Sequence, residues 1–290
     1  MIRTGYLSLL LLLVAASGCS RRTERQEKDR LYVSILPLRS LVEQIVEKDF
    51  DIDVLVPAGA SPESFEPTPR QYVALNRSKL IFNVGLIDFE QNLLRDFSEP
   101  QKLVDLSRGV RLLEGSCSHR HEIHDGGHAH GIDPHIWTSP RALRRMAANA
   151  YEALHAIYPD SIRYTNNCRR LLARLDSLDS ACGEALRRAG VRTIVIYHPA
   201  LTYYAADYGV EQLAIEHDGK EPSARHLARL IEQARAKGIR SVLYQAQYPV
   251  STVKVIAEDI GAACVEIDPL REDVIENIDE ITRKLTAKDE

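Results

Sequence analysis

The chain has few cysteines, no excess of basic residues and, after its N-terminus, no long apolar run. None of its 5 cysteines forms a C-x-x-C pair, which argues against a four-cysteine zinc site. The formal net charge of −4 argues against a protein that binds nucleic acid, because such proteins are usually strongly basic. No later segment approaches the about 20 apolar residues that a transmembrane helix needs.

The N-terminus has the pattern of a lipoprotein signal peptide. Arg3 gives a basic start, an apolar run covers residues 6–14, and small residues precede Cys19. The sequence Leu-Val-Ala-Ala-Ser-Gly-Cys resembles the bacterial lipoprotein box, in which the cysteine carries the lipid. An uncleaved anchor is the alternative, but the apolar run is short for a membrane span. We predict a signal peptide over residues 1–18, lipidation of Cys19 and a flexible charged tether over residues 19–30.

Apolar strands and amphipathic helices alternate through the rest of the chain, which predicts an α/β fold with parallel sheets. The predicted strands cover residues 31–36, 54–56, 80–84, 193–197, 241–244 and 264–267. One long helical pattern runs from residue 161 to 189 and ends at Gly190. We predict two lobes, each a mostly parallel sheet flanked by helices, joined by one long rigid linker helix. The boundaries are residues 31–159 for the N-terminal lobe, 160–189 for the linker helix and 190–290 for the C-terminal lobe.

Four polar segments follow predicted strands or open helices, which is where open α/β sheets bind ligands. The first two are Gly-Ala-Ser-Pro-Glu-Ser-Phe-Glu-Pro at residues 59–67 and Asp-Pro-His-Ile-Trp-Thr-Ser-Pro at residues 133–140. The third begins Tyr-His-Pro-Ala at residues 197–200, and the fourth is Ile-Asp-Pro-Leu at residues 267–270. A low-complexity segment rich in histidine, glycine and serine covers residues 115–131.

In their order and spacing, these segments resemble those of the zinc- and manganese-specific solute-binding proteins of ABC importers. The resemblance covers almost all of residues 31–285, and Asp-Pro-His-Ile-Trp followed by Ser-Pro is its most specific motif. It implies a protein that is not an enzyme, captures a divalent metal between its lobes and delivers it to a membrane permease with its ATPase. It also implies an exported, membrane-anchored lipoprotein that faces the periplasm or the cell exterior. We expect a monomer.

Carried over from the family position by position, the metal ligands are Glu63, His135, His198 and Asp268. The family usually has histidine at the position of Glu63, but two imidazoles and two carboxylates still form a complete set of four ligands. His198 and the histidine-rich segment favour zinc, whereas Glu63 leaves manganese or iron as the alternative. Each residue could instead be structural, as a core histidine, a helix-opening glutamate or a turn aspartate. Candidate partners of the histidines are Tyr197, Tyr204 and Gln245.

The histidine-rich segment predicts an auxiliary weak metal site, unless it is a surface insertion without a role. Its histidines are His119, His121, His124, His128 and His130. Their spacing does not match the H-E-x-x-H motif of zinc proteases, so a zinc hydrolase is the weaker alternative. A surface adhesin is another alternative, since some relatives of the family were first described as adhesins.

Overall fold

The computed structural model describes residues 28–95, 97–115, 131–216, 222–248 and 250–287. The predicted signal peptide, the lipidation of Cys19, the auxiliary metal site and residues 19–27 of the predicted tether lie outside these residues. The histidines of that auxiliary site are His119, His121, His124, His128 and His130. The predicted tether extends one residue too far, because Arg30 opens the first strand of the fold and pairs with Asp51. Within the described ranges, no helix combines the length and the apolar character that crossing a membrane requires.

The N-terminal lobe is built on a sheet of four parallel strands in the order β2-β1-β3-β4. The strands are β1 (Arg30–Val33), β2 (Asp51–Val54), β3 (Leu80–Asn83) and β4 (Leu103–Asp105). The helices of this lobe are α1 (Leu36–Val46), α2 (Pro69–Leu75) and α3 (Asp88–Leu94). The two central strands are almost wholly buried, which explains their continuous apolar sequences.

The C-terminal lobe repeats this architecture, with four parallel strands in the order β6-β5-β7-β8. The strands are β5 (Thr193–Ile196), β6 (Glu211–Ala214), β7 (Ser241–Tyr244) and β8 (Ala263–Glu266). Its helices are α6 (Thr202–Tyr208), α7 (Ala224–Ala236), α8 (Val250–Ile260) and α9 (Val274–Thr286). The prediction of two lobes with parallel sheets is therefore confirmed.

Two long helices, α4 (Pro140–Ile157) and α5 (Ile162–Ala189), follow the N-terminal sheet along the chain and precede the C-terminal sheet. The side chain of Ser161 caps the start of α5, and Gly190 ends it with a φ of 68°, a left-handed conformation that glycine adopts without strain. The 28 residues of α5 span about 42 Å, and the helix packs against α1, α4 and α9. One apolar core, which includes Leu175 of α5, continues from the N-terminal sheet into the C-terminal sheet.

The structure differs from the sequence prediction at the edges of the sheets. The edge strands β4 and β6 were not predicted, because charged residues such as Asp105 and Glu211 interrupt their apolar sequences. The strand β2 begins and ends earlier than predicted, but Leu55 and Val56 still donate backbone hydrogen bonds to the end of β1 and to Ser34 beyond it. The cysteines of the described residues are free, and they are Cys168, Cys182 and Cys264.

Candidate metal centre

Three of the four predicted ligands come together between the lobes. Glu63 lies in the loop after β2, His135 precedes the short 3₁₀ turn Ile136–Thr138, and His198 lies two residues after β5. Nε2 of His198 is 3.2 Å from Nε2 of His135 and 3.0 Å from Oε1 of Glu63. The donor atoms of a tetrahedral zinc ion with bonds of about 2.0–2.1 Å lie about 3.3 Å apart. The spacing of these atoms therefore fits an ion of that size.

His135 is held in place by Asp133, a side chain that is 0% exposed. Oδ1 of Asp133 accepts the backbone N–H of His135 at 2.8 Å and lies 2.9 Å from its Nδ1. Oδ2 accepts a hydrogen bond from the hydroxyl of Thr202 in the other lobe at 2.6 Å. Burial raises the pKa of Asp133, but the charge and the hydrogen bonds of His135 outweigh it and lower the pKa below its usual value. Asp133 is therefore a carboxylate that orients His135.

His198 has an equivalent arrangement in the C-terminal lobe. Its Nδ1 lies 3.0 Å from Oε2 of the buried Glu216, and its ring stacks on Tyr248 with the centroids 5.0 Å apart. The side chain of Gln245 binds the backbone of His198: its amide nitrogen donates to the carbonyl at 2.9 Å, and its oxygen accepts the backbone N–H at 3.4 Å. Burial lowers the pKa of His198, but hydrogen bonds and charge from Glu216 and Glu63 outweigh burial and raise it to about 9.

Glu63 is the most open member of the cluster, with a side chain that is 27% exposed against 5% for His198. Its Oε2 accepts a hydrogen bond from the hydroxyl of Tyr248 at 3.2 Å. Burial raises the pKa of Glu63, but the hydrogen bond and the charge of His198 outweigh it and lower the pKa. The carboxylate is thus ionised at neutral pH and available to a cation.

The two buried carboxylates determine which nitrogen of each histidine faces the site. A proton on Nδ1 is held by Asp133 in one lobe and by Glu216 in the other, which leaves each Nε2 lone pair for a metal. The sequence analysis did not assign either residue. Asp133 stands in the most specific motif, which was the signal that could have found it. Glu216 follows the edge strand β6, and because that strand was not predicted, the sequence offered no signal for this residue.

Asp268 is the predicted ligand that the structure leaves outside the cluster. Within the described residues, the group of potential ligand atoms that lie within 4.8 Å of one another contains Glu63, His135 and His198, without Asp268. The carboxylate of Asp268 instead accepts the backbone N–H of Leu270 at 3.0 Å, as in a turn. It lines a separate surface cavity.

The three predicted partners of the histidines have different positions. Gln245 contacts His198 through the backbone rather than the ring. Tyr197 packs on Tyr248, with the ring centroids 5.2 Å apart. Tyr204 is buried elsewhere, and its hydroxyl lies 2.7 Å from that of Thr282 in α9.

A small cavity opens onto the three clustered side chains. Trp137 forms part of its wall, and the indole Nε1 donates to the carbonyl of Pro269 in the other lobe at 3.0 Å. The indole ring also lies against the ring of His135, with a centroid distance of 5.1 Å. This cross-lobe contact fixes one side of the site.

Known proteins match the chain over most of its length. It is 26% identical over 275 residues to the zinc-binding lipoprotein AdcA of Streptococcus pneumoniae. This alignment covers 91% of the chain but 55% of AdcA, so the chain spans about half the length of that relative. It is 28% identical over 264 residues to the high-affinity zinc uptake system protein ZnuA of Bacillus subtilis, covering 87% of the chain and 82% of that protein.

A crystal structure of ZnuA superimposes with a TM-score of 0.81 and 31% sequence identity, over 90% of this chain and 98% of that one. The profile of the family described as zinc-uptake complex component A, periplasmic, matches residues 31–287. Both the sequence and the fold of nearly the whole described chain are thus those of one family. The chain belongs to the family of zinc-uptake complex component A, the periplasmic ZnuA proteins.

Proposed function

We propose that this protein captures zinc outside the cytoplasm and delivers it to the permease of an ABC importer, with Glu63, His135 and His198 as ligands. The observation that carries the proposal is the convergence of these side chains, with donor atoms 3.0 and 3.2 Å apart, from both lobes. Membership of a zinc-uptake family and the names of the relatives support it. No bond chemistry is involved, since the metal is the cargo.

The site suits tight capture because both imidazoles are nearly inaccessible to water. As whole residues, His135 is 5% exposed and His198 is 4% exposed, and each has a carboxylate behind its ring. Such outer carboxylates raise the basicity of the ligand and hold its ring in position. Two nitrogen donors and one oxygen donor favour zinc over manganese, which prefers oxygen ligands.

Release is proposed to come from movement of the Glu63 loop rather than from a large rotation of the lobes. The linker helix α5 packs against helices of both lobes, and a single apolar core runs between the sheets, so a wide hinge opening would expose much apolar surface. Glu63 is the most exposed ligand and stands outside the helices and strands. Structures with and without zinc that differ by a large lobe rotation would contradict this mechanism.

The proposal includes a lipid anchor at Cys19, a charged tether to the folded lobes, and a monomer docking on the permease. The lipoprotein box in the sequence and the lipoprotein name of AdcA support the anchor. We expect Cys19→Ser to move the protein from the membrane fraction to the soluble fraction. Mass spectrometry of the N-terminal peptide would identify the lipid, and an unmodified Cys19 would contradict the anchor.

The zinc proposal is tested by calorimetric titration of a protein that begins at Ser20, with Zn²⁺ and Mn²⁺ in parallel. We expect the tighter binding for Zn²⁺, and a large loss with His135→Ala. If Mn²⁺ binds more tightly, the manganese alternative replaces the zinc assignment. If neither metal binds, the capture function is wrong and an adhesin becomes the better interpretation.

The histidine-rich segment is proposed as an auxiliary site that adds weaker zinc equivalents. A variant with asparagine in place of the five histidines should keep the tight site and lose the weak equivalents in the same titration. The substituted residues are His119, His121, His124, His128 and His130. An unchanged stoichiometry would show that the segment has no role in binding.

A further inference from the structure

The number of donor atoms that the proposed site offers depends on Glu63. The two histidines are fixed, because a buried carboxylate lies 2.9 or 3.0 Å from the Nδ1 atom of each and leaves one Nε2 for the metal. A carboxylate, by contrast, can supply one oxygen or two. Glu63 lies in a loop and is the most exposed of the three side chains, so burial does not fix it. A contact that holds one of its oxygens therefore controls how many donors the metal meets.

The two oxygens of Glu63 have different surroundings. Oε1 faces the metal site and lies 3.0 Å from Nε2 of His198. Oε2 accepts a hydrogen bond from the hydroxyl of Tyr248 at 3.2 Å. This hydrogen bond holds Oε2 against the C-terminal lobe, so that Oε1 alone is directed to the site.

The ring of Tyr248 is itself held in place by two aromatic neighbours. It stacks on His198 with the centroids 5.0 Å apart and the planes inclined by 11°. It also packs on Tyr197, with a centroid distance of 5.2 Å. These contacts fix the direction of the hydroxyl, although 185 residues separate Tyr248 from Glu63. Tyr248 thus connects a proposed ligand of one lobe to a proposed ligand of the other.

The space beside the three side chains is also restricted. The cavity there has a volume of about 40 Å³, which admits an ion and about one water molecule. Two nitrogens, one carboxylate oxygen and one water make the four ligands that zinc takes in a tetrahedron. Manganese prefers six ligands, mostly oxygens, and solvent cannot supply the rest in so small a space.

On the basis of the proposed function, we infer that the hydroxyl of Tyr248 selects zinc over manganese by restricting Glu63 to one donor oxygen. Without the hydroxyl, Oε2 is free to turn toward the ion, and Glu63 can bind through both oxygens. The additional oxygen favours manganese, whereas zinc loses the fixed position of its carboxylate ligand. Tyr248 is a positioning residue, since it acts through Glu63 and not on the metal.

The test is the variant Tyr248→Phe, which keeps the stacked ring and removes the hydroxyl. Tyr244→Phe is the matched control, because the hydroxyl of Tyr244 donates to Oε2 of Glu266 at the same 3.2 Å on the exposed surface of the same lobe. Each protein begins at Ser20 and has asparagine in place of the five histidines of the auxiliary site. Competition with a chelator measures the affinities for Zn²⁺ and Mn²⁺. We expect the ratio of the Zn²⁺ to the Mn²⁺ affinity to fall at least about tenfold with Tyr248→Phe and to stay unchanged with the control.

Bound Co²⁺ gives a second measurement, which a purely structural role of the hydroxyl would not change. Its visible absorption reports the coordination number, because four-coordinate Co²⁺ absorbs more strongly than five- or six-coordinate Co²⁺. We expect weaker absorption per bound ion in Tyr248→Phe than in the unsubstituted protein, and equal absorption in Tyr244→Phe.

An unchanged affinity ratio in Tyr248→Phe, or an equal loss of affinity for both metals, would overturn the inference and leave the capture function intact. Identical Co²⁺ spectra of Tyr248→Phe and the unsubstituted protein would also overturn it. Failure of the unsubstituted protein to bind any of the three metals would overturn the proposed function together with the inference.

Discussion

Nε2 of His135 and Nε2 of His198 lie 3.2 Å apart, although 63 residues separate them in the chain and they belong to different lobes. Two lone pairs at this distance repel each other unless a proton or a cation lies between them. A proton on His198 satisfies this requirement in the metal-free protein, and the nearby carboxylate of Glu63 stabilises the positive charge. The site is therefore pre-organised for a cation.

Removal of either imidazole should weaken zinc binding more than removal of any outer contact. We expect His135→Ala and His198→Ala each to reduce the affinity by more than the about 10–100-fold that follows loss of an outer partner. Trp137 is the single tryptophan of the sequence and contacts His135, so its fluorescence can follow the titration. His155→Ala, at an exposed position on α4, is the control and should bind normally. Normal binding by both site variants would contradict the assignment.

A variant of Asp268 distinguishes a set of three protein ligands from a set of four. Since the carboxylate lies outside the cluster and accepts a backbone hydrogen bond, we expect Asp268→Asn to change zinc affinity less than about tenfold. Calorimetry measures the effect. A loss with Asp268→Asn as large as that with His135→Ala would restore the four-residue set.

Glu63→His introduces the residue that the family usually has. It should retain zinc and lower the affinity for Mn²⁺ relative to the original chain. Calorimetry with both metals measures the two affinities.

The carboxylate behind His198 should contribute to affinity without touching the metal. Glu216→Gln keeps an acceptor for Nδ1 but removes the charge, and we expect about a tenfold loss of zinc affinity. Glu211→Gln is the matched control, because it changes the same residue type on the exposed edge of the same lobe. Circular dichroism would check that both variants fold. Equal affinities in the two variants would mean that Glu216 is only structural.

Zinc binding should release a proton at neutral pH. Because Glu216 and Glu63 raise the pKa of His198 to about 9, the metal-free side chain is protonated at pH 7, whereas a metal ligand must be neutral. Affinity should therefore rise about tenfold per unit between pH 6 and pH 8. Calorimetry in buffers of different ionisation enthalpy counts the released protons. An affinity independent of pH over this range would show that His198 is already neutral.

The same raised pKa makes the stability of the metal-free protein depend on pH. Protonated His198 stabilises the fold fully below its unfolded pKa of about 6.5, and this contribution is lost as the pH rises through about 9. Because of His198, thermal unfolding of the metal-free protein should show a lower Tm at pH 9 than at pH 6.5. His198→Ala should reduce that dependence.

The hydrogen bond from Trp137 to the carbonyl of Pro269 should stabilise the contact between the lobes. Trp137→Phe leaves the buried carbonyl without its donor, and we expect a loss of about 1–3 kcal/mol in the free energy of unfolding. Tyr151→Phe removes a part-buried hydroxyl contact with Thr165 and serves as the control, with a smaller expected loss. Urea unfolding followed by circular dichroism measures both, and equal stabilities would contradict this role.

The elements that could be predicted from the sequence are those whose apolar pattern is continuous. The strand β5 is a continuous apolar run and the helix α5 carries a long apolar pattern, and the observed helix begins one residue after the predicted start at Ser161. The edge strands β4 and β6 escaped prediction because polar or charged residues take up part of their 3 or 4 positions, whereas β5, which is equally short, is almost wholly apolar. Their position depends on pairing with the central strands.

The sequence by itself determined the α/β lobes, the linker helix and three polar segments that supply Glu63, His135 and His198. Only the tertiary structure decided that Glu216 stands behind one histidine and that Asp268 lies apart from the cluster. The reason is that local sequence patterns report which residues are buried and where strands end. Distances of about 3 Å between side chains of two lobes depend on how α5 and the shared core pack the lobes together.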